Sequence, residues 1–254
     1  MYSKFWEMLE IVANTRYYLQ TGKKRACNYV KEMHIFPEDG VDRVIKNGSM
    51  DAWLEYMEEN QVNEVYFNGG LKDLYDEETE QSNPDWKIYC VSEKKNRTTI
   101  FTSYMYHIDF EQGWYSSLKE EQKVPHIILS KRWEDTSKDL REELTRHMKY
   151  EVKKYPQYDS VFRNSIKVLD GNYTRGEIDD RLGPEYTFIL PPTYSQKAQT
   201  VMDTLKVTQV FYGMGNWGDG EAPKEMIEEL YKQYMLAALW AINEGDKQKR
   251  DRGM

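Results

Sequence analysis

Cysteine is scarce in this chain: 254 residues hold only Cys27 and Cys90. Two thiols cannot staple a disulfide framework and form no metal-binding spacing, so a reducing compartment is expected. The opening residues Met1-Tyr2-Ser3-Lys4-Phe5-Trp6-Glu7 lack the apolar core of a secretory signal. Without such a signal the glycosylation sequons at Asn47, Asn96 and Asn172 carry no weight, and a cytoplasmic location is the expectation. Long apolar runs are missing too. The most apolar stretch, 234–242, is far shorter than the roughly 20 residues of a membrane helix, and its flanks are polar. A basic stripe of the kind that phosphate backbones require is absent, which disfavours direct nucleic-acid binding. The chain contains no G-x-S-x-G, no P-loop, no H-E-x-x-H, no internal repeat and no low-complexity linker.

What is present fits a soluble globular protein: 39% hydrophobic and 31% charged residues, with 20 Tyr, 8 Phe and 7 Trp. Tyrosine buries a ring while keeping a polar tip, so it suits a core, a sheet face or a half-wet interface. The formal charge of −8 is unevenly placed. Residues 37–85 carry 14 acidic and 3 basic side chains, an acidic lobe on an otherwise balanced chain. A solvated face is the plain meaning of such a run; a basic partner is the functional one.

The chain is organised around its last long helix, expected over 223–243. Met226, Ile227, Leu230, Tyr231, Tyr234, Ala238 and Ala241 form a helical stripe, and the second half is apolar all round, so packing must cover more than one side. Pro223 suits the first turn and Gly245 the stop. Before it, amphipathic helices are expected over 4–20 and 23–33, a short one over 41–47, and one over 50–60 capped by Ser49. The texture changes at Val62. Strands are expected over 62–67, 86–91 and 99–108, the last two joined as a hairpin through polar residues 92–97. Pro125 should open a strand over 126–129. A helix over 137–154 follows, with Leu140, Leu144, Met148 and Val152 facing inward, ended by Pro156, then strands over 165–169 and 186–190. Ser195 caps a helix, and a final strand over 207–212 leads through a glycine-rich loop into the last helix. Helices first, hairpin-paired strands next and a mixture later argue an α+β fold with a mixed, mostly antiparallel sheet. One domain over 1–254 is expected, with a subdivision conceivable between 1–61 and 62–254.

Several patterns invite chemistry. Gly213-Met214-Gly215-Asn216-Trp217-Gly218-Asp219-Gly220 matches G-x-G-x-x-G between a strand and a helix. Asp219 and Glu221 would oppose phosphates, the helix starts late, and no second βαβ half remains, so a turn presenting Trp217 is preferred. His107, Asp109 and Glu111 alternate at a strand end with His126 nearby, a conceivable metal or acid–base set without a known metal spacing. A strand turning polar as it leaves its sheet explains them better. Glu177, Asp179 and Asp180 read as a solvated turn, since neighbours on a helix do not face one another. Cys27 and His34, seven apart, could share a helix face, although a buried thiol and a surface histidine are more usual. Two basic clusters remain, Lys23-Lys24-Arg25 and the tail residues Lys247, Lys249, Arg250 and Arg252.

Weighed together, these features favour a non-catalytic structural or interaction subunit of a larger protein assembly, homo-oligomeric or hetero-assembled. By size and solubility, a phage virion connector or tail component is the guess. The expected interface residues are Trp217, Lys247, Lys249, Arg250 and Arg252; no catalytic residue, cofactor or metal is expected. The alternatives are a small soluble enzyme with a His/carboxylate site near the end of the 99–108 strand, and an acidic binding or inhibitor protein that uses the 37–85 lobe.

Overall fold

A computed structural model describes residues 2–27, 30, 32–36, 38, 46–69, 86–109, 113–125, 133–154, 156–174, 177, 189–208 and 223–245. The fold is α+β, and the chain divides into two compact units, Met1–Lys131 and Arg132–Met254. The change of texture near residue 62 falls inside the first unit.

The first unit contains helices α1 (Tyr2–Thr21) and α2 (Met50–Glu59) and strands β1 (Glu32–Phe36), β2 (Lys46–Gly48), β3 (Glu64–Asn68), β4 (Lys87–Ser92), β5 (Arg97–Asp109) and β6 (Gly113–Pro125). The six strands form one sheet in the order β2-β1-β6-β5-β4-β3. Strands β3 to β6 make an antiparallel meander, β1 runs parallel beside β6, and β2 closes the edge antiparallel to β1. The expected hairpin is present: Ile88 lies opposite Phe101 and Cys90 opposite Thr99, with Asn96 in a left-handed turn conformation at φ 47°.

Helix α1 was expected to bury one face, yet every residue from Phe5 to Arg16 is buried. The Phe5 ring sits 5.2 Å from that of Trp86 and 6.0 Å from that of Phe67, so α1 lies on the sheet face that carries Phe67. Helix α2 packs its Trp53 edge-on against Phe101 at 5.0 Å. Burying a side chain of this size contributes about 1.5–3 kcal/mol. Helix α2 begins as expected, with the Ser49 side chain accepting a hydrogen bond from the Asp51 amide.

Three expectations in this unit are corrected. Residues 23–33 do not form a helix. Gly22, at φ 67°, ends α1 in the left-handed region, residues 23–27 are irregular, and Glu32 already pairs with β6. Met33 and Ile35 are buried on alternate positions of β1, a period of two that a short apolar run disguised. The last two residues of the expected 41–47 helix, Lys46 and Asn47, belong with Gly48 to strand β2, and residues 41–45 lie outside the described set. Finally, Pro125 ends a strand instead of opening one: β6 is held by its ladder with β5 despite a polar sequence with low strand propensity. Residues 126–129 lie outside the described set.

The second unit contains helices α3 (Ser137–Lys154), α4 (Pro156–Leu169), α5 (Gln196–Val207) and α6 (Lys224–Glu244). The strand expected over 165–169 is the end of α4. Phe162, Ser165 and Val168 are its buried positions, a helical spacing, and Pro156 both stops α3 and supplies the first residue of α4. The strands expected over 186–190 and 207–212 fall largely outside the described residues; Val207 itself closes α5. Ser195 caps α5 as expected, accepting from the Ala198 amide.

Helix α6 is buried on more than one face, from Met226 through Asn243 with few breaks. Its C-terminal end is fastened to the start of α5. The Gly245 carbonyl accepts from the Ser195 amide at 2.7 Å, and the Ile242 carbonyl accepts from the Tyr194 hydroxyl at 3.0 Å. Tyr234 donates to the Leu205 carbonyl at 3.0 Å, tying the middle of α6 to the end of α5. None of the described helices is long and apolar enough to cross a membrane.

Candidate functional site

In the second unit, α3, α4 and α5 leave a cavity of about 200 Å³ whose polar lining is Ser137, Lys138, Arg141, Asp170, Lys197 and Thr200. Each position follows from local structure. Asp135 accepts from the Ser137 amide at 3.1 Å and so sets the start of α3, which places Lys138 and Arg141 in its first two turns. Gly171 at φ 75° terminates α4, its amide bonding the Val168 carbonyl, and this turn projects Asp170. Ser195 fixes the start of α5 and with it Lys197 and Thr200.

Two ion pairs hold the rim. Arg141 donates through Nε and Nη2 to the two carboxylate oxygens of Asp170 at 2.7 and 2.9 Å, a bidentate fork. Lys197 donates to Asp135 and also stands 5.7 Å from the centre of the Trp240 ring. The Arg141 guanidinium holds the Asp170 carboxyl below its ordinary range. For Asp135, burial alone would raise the pKa, but the bonds from Lys197 and Ser137 outweigh it and lower it.

The other strongly perturbed groups are shifted by burial. The Cys27 thiol is pushed up to about 12 by burial and by the nearby Glu10 charge, against a hydrogen bond from Asn14 at 3.3 Å. Complete burial raises Cys90 well above its ordinary value. His147, on α3, is lowered to about 4 by burial and by Arg146, while its ring stacks on Phe162 at 5.5 Å. In the first unit the buried carboxylate of Glu120 accepts from the Tyr56 hydroxyl and pairs with Lys123 at 2.9 Å. A register shift between Ile100 and Phe101 leaves Glu121 as an extra residue on β6 and sets Glu120 opposite Phe101, on the ladder beneath α2.

The residues singled out from the sequence fare differently. His107 lies opposite Tyr115 and Asp109 opposite Gly113 at the end of β5, while Glu111 and His126 lie outside the described residues. Cys27 and His34 do not share a helix: Cys27 is in the irregular stretch and His34 on β1. The Glu177 carboxylate accepts from the Thr174 amide and hydroxyl, each at 2.7 Å, which lowers its pKa and gives it a turn-forming role. Lys24 pairs with Asp51 at 2.9 Å and the Arg25 guanidinium sits 5.8 Å from the centre of the Tyr17 ring. The glycine-rich loop 213–220 with Trp217, and Lys247, Lys249, Arg250, Arg252, Asp179 and Asp180, lie outside the described residues. Among the described residues, no group of three or more His, Cys, Asp or Glu side chains is placed to hold a metal ion.

The cavity lining was not anticipated. Arg141 and Asp170 are 29 residues apart, and Asp135 and Lys197 are 62 apart, so no local pattern announces either pair. No known protein family, curated protein or solved structure matches this chain.

Proposed function

We propose that the chain is a non-catalytic interaction protein, a subunit that joins other protein chains in a larger assembly; a virion connector or tail part would be one such assembly. The observation that carries the reading is the outward edge of α2. Asp51, Glu55, Glu58 and Glu59 are exposed on it, while Met50, Trp53, Leu54, Tyr56 and Met57 are packed inward. These acids belong to the strongly acidic 37–85 stretch, and the basic residues Lys247, Lys249, Arg250 and Arg252 offer a counterpart in a second copy. Charge of opposite sign on two surfaces steers encounter and fixes register more than it adds affinity. A reactive cysteine needs a lowered pKa, and the thiols of Cys27 and Cys90 are both raised, which argues against either as a nucleophile.

Native mass spectrometry at low ionic strength tests the proposal. The expected result is a species heavier than one 30.3 kDa chain, which dissociates as salt is raised. Replacing Glu55, Glu58 and Glu59 together by Gln should weaken it. A monomer that persists at low salt and high concentration, with no mass gained, would overturn self-assembly through charge.

A further inference from the structure

We draw no further inference here: the strongest candidate, the cavity between α3, α4 and α5, carries nothing, because each cation that lines it is paired with a carboxylate (Arg141 with Asp170, Lys197 with Asp135 and Lys138 with Glu142), which leaves the described lining with no net charge to attract an ion.

Discussion

His147 makes the second unit sensitive to acid in a calculable way. The ring is wholly buried, stacked on Phe162 of α4, with the charge of Arg146 one residue away. These surroundings favour the neutral ring and lower its pKa from 6.5 to about 4. A hydrogen bond with the Met226 backbone of α6 pulls the other way, and the Glu143 carboxylate stands 3.8 Å from Nε2. The net shift is downward, so between pH 6.5 and 4 the unfolded chain binds a proton that the folded chain refuses. Stability from this group is complete above pH 6.5 and is lost as pH falls toward 4. At 1.36 kcal/mol per unit, a shift of this size amounts to about 3 kcal/mol. Carboxylates contribute their own acid sensitivity, so the comparison must be with His147→Leu, which keeps an apolar body without the proton. Urea unfolding followed by circular dichroism at intervals from pH 7.5 to 4 measures both chains. The wild-type free energy should fall by about 3 kcal/mol more than that of the variant. The reasoning fails if the two curves run parallel, or if nuclear magnetic resonance finds the folded ring titrating near 6.5.

Other consequences are equally open to measurement. Gly245→Ala would place a Cβ 2.3 Å from the Ala198 Cβ and 2.4 Å from the Ala241 carbonyl oxygen; neither neighbour can swing aside, so a loss of about 1–3 kcal/mol is expected, read as a lower thermal midpoint. Removing a helix cap should cost about 1 kcal/mol in Ser49→Ala and in Ser195→Ala, with Ser→Asp at either position recovering most of it in the same unfolding assay. Both thiols should resist a disulfide reagent in the folded chain: at a pKa of about 12, Cys27 is thiolate to about one part in ten thousand at pH 8, so release should be slow until denaturant is added. Fast reaction of either cysteine in native buffer would contradict the burial described for it.

What could be read from the sequence was local, and what could not was decided by partners elsewhere in the chain. Helices α2, α5 and α6 were legible because each joins an apolar stripe to an end signal, Ser49, Ser195 or the pair Pro223 and Gly245, and the structure uses all of these positions as caps or ends. The β4–β5 hairpin was legible because its apolar residues alternate on both sides of a polar turn. Strand β6 was not, since Gly113–Pro125 is polar and owes its extended form to the ladder with β5. The end of α4 was misread because five mostly apolar residues fit a strand and a buried helix equally well; only the buried triple Phe162, Ser165 and Val168, seen in three dimensions, separates them. His147 escaped notice for a related reason. The stripe Leu140, Leu144, Met148 and Val152 drew attention to one row of α3, whereas His147 is buried and Met148 only half so: the buried face is rotated by one residue. The same limit applies with more force to the cavity. A bidentate pair across 29 residues and an ion pair across 62 exist only once α3, α4 and α5 have packed, so their donors carry no spacing for a motif to capture. An arrangement assembled in this way is visible from geometry alone and from no pattern in the chain.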